Sequence, residues 1–273
     1  LDARHVAGCL ALSESARWNQ NAADWRLMLE IGRGWGIARA DGTLVASTLV
    51  LPYGIFAWIS MVLVLPTERR RGHATRLLRI ALDDLKRAGL TPILDATPAG
   101  RAVYVQEGFH DTWGFRRFEL RRTLDAPEPA NGVRPLRAAD WPRVLALDAR
   151  AFGASRERLL RALAGRLPAA ALVADAGTGL EGFLLGREGR EACQLGPLVA
   201  RSSGAARALL GAGLAAVPAP LYLDIVDREP GLVAWLESLG FAFQRPFTRM
   251  VHGAAQAPGE AGLVFCPAGP ELG

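Results

Sequence analysis

The 273-residue chain repeats itself in register. "RRRGHATRLL" at Arg69–Leu78 returns as "RSSGAARALL" at Arg201–Leu210, a shift of 132 residues. The same shift carries Gly108-Phe109 onto Gly240-Phe241, and "FRRF" at Phe115–Phe118 onto "FTRM" at Phe247–Met250. Near the start, "ALSESARW" (Ala11–Trp18) echoes "ALDARAFG" (Ala146–Gly153) at a shift of 135. A single echo is weak, but a register held over the length of a domain marks a duplication. The length also allows two cores. The expected division is 1–124, a linker at 125–131 inside the Pro-rich "TLDAPEPANG" (Thr123–Gly132), and 132–273. Leu136 matches Leu1, and "GVRP" just before Leu136 reads as a first strand. A counterpart of that strand is expected ahead of Leu1.

Periodicity gives one copy of the repeat its elements. Helical patterns run over Asp2–Ser15 and Ala22–Glu30, then three strands span Gly34–Leu65 around an Asp41-Gly42 turn. The clearest helix follows, with Ala74, Leu77, Leu78, Ala81, Leu82 and Leu85 forming one apolar stripe and Gly89 ending it. Ala206, Leu209, Leu210, Gly213, Leu214 and Val217 repeat the stripe in the second copy. A strand at Pro92–Ala96, a short helix at Ala99–Glu107 and a closing hairpin at Phe109–Arg122 complete the unit. The expected class is mixed α/β.

From Gly42 to Thr67 no residue is charged, and three arginines follow at Arg69–Arg71, which mimics a spanning helix with a positive flank. Pro52-Tyr53-Gly54 breaks the run in the middle, and its halves are strand-length and rich in β-branched and aromatic residues. Two buried strands are expected and no membrane partner. The net charge of +5 is almost wholly arginine in an Ala- and Gly-rich chain, so it argues little for nucleic acid, and no nucleic-acid partner is expected. Cys9, Cys193 and Cys266 are scattered, which excludes a structural zinc motif, fits a reducing cytoplasm and implies no metal.

Arg69, Arg70 and Arg71 stand where the stripe helix begins, the positive end of its dipole. A bound diphosphate resolves the misplacement. The first amides of the helix lack intrahelical partners, and Gly72 leaves the backbone open to a ligand. A Walker-type loop needs G-K-[ST], but the lone lysine, Lys86, lies at the far end of the helix. The G-x-G-x-x-G fingerprint is absent as well.

"VLVLPTERRRGHATRLL" resembles the signature of the GNAT superfamily of acyl-CoA N-acyltransferases: strand, Pro, Arg/Gln-x-x-Gly-x-Gly/Ala, helix. "TPAGRAVYVQEGF" (Thr97–Phe109) is similar to the family's later motif, with Tyr104 four positions before Gly108-Phe109. The tandem arrangement, "DATPAG" and the ending "AGPELG" resemble bacterial two-domain acetyltransferases of the YitH-like type. The resemblance implies two tandem GNAT domains, with acetyl-CoA as co-substrate and an amine, small-molecule or peptide, as acceptor.

By that resemblance Val62, Leu63 and Val64 lie along the pantetheine arm, and one of their amides steadies the developing oxyanion. Arg70, Arg71, Gly72, His73, Ala74 and Thr75 supply the diphosphate turn, with Arg69 an outer cation. Thr97 stands where relatives often carry a pantetheine-contacting asparagine. Tyr104 protonates the departing thiolate. Pro92 occupies the place where many relatives carry a basic glutamate, so no base is named; Glu30, His73, Asp95 and His110 are candidates, beside proton loss through water. Trp18, Asn19, Gln20, Trp25, Trp35 and Trp113 are candidates for the acceptor side.

The second copy keeps Arg201, Gly204 and Ala206 but places Ser202-Ser203 between them and Leu236, with Trp235 beside it, where the tyrosine belongs. Pro197 stands four residues before Arg201, whereas Pro66 stands three before Arg69. Turnover is expected in the first copy, with the second walling the acceptor pocket. Three alternatives stay open: another acyl donor, a tandem ligase resembling mycothiol synthase, and a non-catalytic acyl-CoA sensor. A homodimer is also left open.

Overall fold

The computed structural model describes residues 1–122, 124, 132–176 and 179–273, so the linker expected at 125–131 lies outside the described residues. Along the first half run α1 (Val6–Ser15), α2 (Ala22–Ile31), β1 (Arg33–Ala38), β2 (Leu44–Tyr53), β3 (Phe56–Val64), α3 (His73–Ala88), β4 (Thr91–Ala96), α4 (Pro98–Gln106) and β5 (Phe109–Leu120). The second half opens on β6 (Val133–Pro135), the strand expected at "GVRP". It then repeats the order: α5 (Trp141–Phe152), α6 (Glu157–Arg166), β7 (Leu172–Ala176), β8 (Gly179–Arg187), β9 (Cys193–Ala200), α7 (Ser203–Ala216), β10 (Leu221–Val226), α8 (Pro230–Ser238) and β11 (Ala242–His252). A last strand, β12 (Val264–Cys266), has no counterpart in the first half. The repeat seen in the sequence is a repeat of elements, and the class is mixed α/β.

Local chemistry sets the boundaries. Asn21 caps α2 by accepting from the Ala23 and Asp24 amides, while Gly89 takes the left-handed conformation that stops α3. The uncharged stretch resolves into β2 and β3, buried on both faces. Phe56 and Trp58 point to one core; Ala57 and Ile59, their neighbours in the alternation, point to the other. A strand covered on both sides must be apolar throughout, which is why it reads like a spanning segment. Among the described residues no helix is long and apolar enough to cross a membrane.

All the strands join one 12-stranded sheet, in the order β1-β2-β3-β4-β11-β5-β10-β9-β8-β7-β6, with β12 on the side of β9. One core spans both halves, with α1, α2, α5 and α6 on the same face. On the opposite face α3 and α7 pack in separate clusters. The hairpin expected at Phe109–Arg122 is not there: the segment is the single strand β5. Its partners are not its own continuation but β10 and β11 of the other half.

The two halves exchange these strands. β11 lies antiparallel on β4 of the first half, while β5 lies antiparallel on β10 of the second, and β5 and β11 pair with each other between them. The repeat motif "FRRF"/"FTRM" is what crosses. Arg249 of β11 stands directly opposite Asp95 of β4, and Arg117 of β5 directly opposite Asp224 of β10. Both pairs are bidentate, at 2.9 and 3.0 Å for Arg249 and at 2.8 and 2.7 Å for Arg117, and all four side chains are buried. Arg249 is also held between the rings of Trp58 and Trp113. Burial pushes the Asp95 carboxyl above its ordinary value against the pull of Arg249. The pair therefore fixes register more than it adds net stability.

Removing one partner is the costly change, because it strands a buried charge. Arg249→Met should lower unfolding free energy by about 3–5 kcal/mol in urea titrations. The double variant Asp95→Asn/Arg249→Met should lose clearly less, with a coupling energy above about 1 kcal/mol. Additive losses would show that the two residues do not act as a pair.

Candidate active site

β3 and β4 run parallel and share hydrogen bonds only from Phe56↔Thr91 to Trp58↔Ile93. Beyond that point β3 keeps to β2 and β4 keeps to β11, so a V-shaped cleft opens between them. Met61 forces the divergence. Its φ of 51° is left-handed, the pairing with β2 shifts register between Ser47 and Leu49, and the Ser47 hydroxyl donates to the Met61 carbonyl at 2.8 Å. A bulge of this kind bends the strand and leaves its open edge without a sheet partner.

The cleft holds a groove of about 680 Å³. Val62, Leu63, Val64, Arg69, Ala74, Thr97 and Tyr104 line it together, with Trp18, Asp95, Val103 and Arg245. Arg70, Arg71, Gly72, His73 and Thr75 lie on the turn beside it rather than in its wall. The arginines part company on that turn. Arg69 reaches back toward the Val64 carbonyl at 3.4 Å; Arg71 pairs at 2.8 Å with Glu68, which Arg39 also holds; Arg70 is exposed in a left-handed conformation. Arg39 foremost, then Arg71, keeps the Glu68 carboxyl below its ordinary value. Gly72 (φ 76°) has no atom within 4 Å of where a Cβ would sit, and no side chain caps the amides that open α3. They remain available to an anion.

Thr97 caps α4, its hydroxyl accepting from the Gly100 amide at 3.3 Å. Gly100 in turn makes room for the tyrosine: a Cβ there would lie 2.9 Å from Tyr104 Cε2. The Tyr104 ring packs edge-on against Phe109 at 5.9 Å. Burial pushes its phenol up to about 12, so its proton stays on throughout the neutral range.

Beneath the groove sits a smaller cavity of about 40 Å³, sharing Trp18, Val62, Asp95, Thr97, Tyr104 and Arg245 with it. Its remaining wall includes Gln20 and Ser60 from the first half and Arg117, Phe247, Pro270 and Glu271 from β5 and the second half. Of the acceptor-side candidates, Trp18 and Gln20 are at this cavity. Asn19 instead fastens a loop of the second half through the Ala192 carbonyl and the amides of Glu191 and Ala192. Trp25 is core, its indole donating to Ser13; Trp35 packs near α3; Trp113 lines a separate cavity. Among the proposed bases only Asp95 lines the groove, and both its oxygens are engaged by Arg249. Glu30 pairs with Arg158 at the surface, His110 faces the Ala255 carbonyl at 3.2 Å, and His73 stands 3.9 Å from Glu68. The sequence reading missed Arg245 and Glu271, which no motif or spacing singles out.

The matching cleft of the second half is closed. β9 pairs with β10 through Cys193–Leu195, but where β3 splays free, β9 is covered at Leu198 and Val199 by β12. One of the amides that open α7 is taken as well: the Ser202 hydroxyl accepts from Ala205 at 3.2 Å. Leu236, at the tyrosine position, is wholly buried. Among the described residues no group of three His, Cys, Asp or Glu side chains is placed to hold a metal.

Comparison with known proteins finds two domains of one family in tandem. The family model described as "Acetyltransferase (GNAT) family" matches residues 8–109, and the one described as "Acetyltransferase (GNAT) domain" matches residues 144–266. The uncharacterized N-acetyltransferase YitH of Bacillus subtilis is 25% identical over 249 residues, 88% of this chain and 86% of its own. A Pyrococcus horikoshii structure provisionally named an acetyltransferase superposes with a TM-score of 0.79 at 20% identity, covering 100% of this chain and 94% of that one. A tandem GNAT protein from the clavulanic acid biosynthesis pathway superposes at 0.60 with 16% identity, covering 94% and 98%. At such identities the likeness to the two structures is one of fold.

Gly72→Val should test the turn. A β-branched residue in the left-handed region costs about 1–2 kcal/mol, so a small fall in melting temperature is expected. The larger effect should be on pyrophosphate or CoA binding measured by calorimetry, weakened at least about tenfold through crowding of the amides. Unchanged binding would remove the turn from the site.

Proposed function

We propose that this chain, which belongs to the GNAT superfamily and carries two of its domains in tandem, is an acetyl-CoA-dependent N-acetyltransferase whose turnover sits in the N-terminal half. One observation carries the reading. Of two homologous clefts, one is open, has uncapped helix amides and holds a phenol, while the other is filled by β12, capped by Ser202 and lacks the phenol. On this reading the second half, 132–273, serves as a wall of the first half's site.

Acetyl-CoA brings an activated acetyl thioester and a diphosphate. The amides of Gly72–Thr75, with Arg69 and Arg70, suit the diphosphate, and Arg71 is less suited because Glu68 already neutralises it. The open edge of β3 at Val62–Val64 offers backbone N–H groups along the thioester arm, where one can donate to the carbonyl oxygen as negative charge gathers on it. The acceptor nitrogen attacks the carbonyl carbon directly, a C–N bond forms and the C–S bond breaks. Tyr104 gives its proton to the departing thiolate and is reprotonated from solvent. Burial pushes the phenol up to about 12, so it does not ionise beforehand and still carries its proton when the thiolate forms beside it. No covalent enzyme intermediate is needed. The three cysteines are free, and two of them are buried, consistent with a cytoplasmic protein.

Tyr104→Phe should keep the acetyl-CoA dissociation constant within about twofold and lower kcat about a hundredfold. An unchanged kcat would take the phenol out of the chemistry. The wild-type rate should show no fall from loss of the phenolic proton as pH rises to about 10, since the group titrates well above that. Calorimetry should give one acetyl-CoA per chain. Two sites would mean that the second cleft is open.

A further inference from the structure

The 40 Å³ cavity under Tyr104 has spare bonding capacity of both signs. Glu271 is buried; its Oε1 pairs with Arg187, but its Oε2 has no partner. The Gln20 Oε1 and the Ser60 hydroxyl, both on the cavity wall, are likewise buried and unpartnered. Three such atoms around one small space are costly unless something binds there. The other charged groups of the wall are already satisfied, Asp95 by Arg249 and Arg117 by Asp224. Arg245 is the exception. It is half-buried where the cavity meets the groove, its Nε donates to Gln244, and no carboxylate lies within ion-pair distance of it among the described residues. Burial depresses its pKa, as expected of a cation waiting for an anion.

We propose that the acceptor is a short amino acid-like molecule, its amine received by Glu271 and Gln20 inside the cavity and its carboxylate bound by Arg245 at the cavity mouth. The assignment rests on the N-acetyltransferase reading above. The cavity has room for only a few water-sized positions, which fits an aminoalkyl head and leaves the carboxylate outside, beside the guanidinium. Glu271 Oε2 takes one proton from the entering ammonium, freeing the lone pair that attacks the thioester. The second nitrogen proton leaves to solvent after the C–N bond has formed. Arg245 and Glu271 belong to the second half, so the tandem arrangement supplies acceptor selectivity to a site whose acyl-donor groove belongs to the first.

The test is acetylation of glycine, β-alanine and 4-aminobutanoate against methylamine, ethylamine and propylamine, in wild type, Arg245→Met and Glu271→Gln. In the wild type the best acid should exceed its carboxyl-free counterpart in kcat/KM by about ten- to a hundredfold. Arg245→Met should raise KM for the acids by the same factor, so that they lose their advantage over the plain amines. Glu271→Gln should lower kcat/KM for acids and amines alike. Because Glu271 also pairs with buried Arg187, the half-buried Arg245 variant carries the test if Glu271→Gln fails to fold. Plain amines used as well as acids, or Arg245→Met acting on acetyl-CoA instead, would overturn the inference and leave the acetyltransferase reading intact. No acetyl transfer to any amine would overturn both.

Discussion

The reciprocal pairing of Asp95 with Arg249 and of Asp224 with Arg117 holds the two halves in one sheet. Arg117 rides on β5 and Arg249 on β11, and each meets an aspartate on an inner strand of the other half. Neither half completes its sheet without the other, and the central strands are those that crossed. A buried ion pair contributes little net stability, but a misregistered strand would leave two charges unpaired in the core. That penalty selects the register. The register in turn places Arg117, Arg245 and Phe247 against the cleft of the first half.

From that frame the asymmetry of the two clefts follows. Both halves inherit a pair of parallel strands that begin together. In the first, the bulge at Met61 turns β3 aside and the gap stays open. In the second, β12 lies along β9 and the chain runs on toward the first half, where the Trp58 indole donates to Pro270 and the Tyr53 hydroxyl to Leu272. One segment thus fills the second cleft and delivers Glu271 to the first. Such an asymmetry needs no new fold, only a tail that covers one groove and furnishes a wall to another.

Much of this was legible in the chain. The repeat, the element order, the stripe of α3 and the open turn at Gly72 rest on local patterns, and local patterns survive into the structure. Two unpaired motifs, R-x-x-G-x-A and the tyrosine before Gly-Phe, sufficed to bring Val62–Val64, Thr97 and Tyr104 to one groove. What the sequence could not reveal was long-range. Phe109–Leu120 alternates like half of a hairpin, and nothing local says that its partner is β11, more than a hundred residues on. The arginine run looked like a single ligand-facing cluster, because the claim of Glu68 on Arg71 is visible only once the turn is folded. Arg245 and Glu271 went unnoticed for a similar reason: neither belongs to a local motif, and only the exchanged strands and the returning tail bring them to the cavity that Tyr104 lines.

The central claim is that a single cleft, in the first half, accepts the acyl donor while the second half shapes the acceptor end. A crystal structure of the chain soaked with acetyl-CoA addresses it directly. The account predicts diphosphate density on the Gly72–Thr75 amides, the thioester between Val62–Val64 and Tyr104, and no density at the start of α7. Acetyl-CoA lying along β9 with β12 displaced would contradict it.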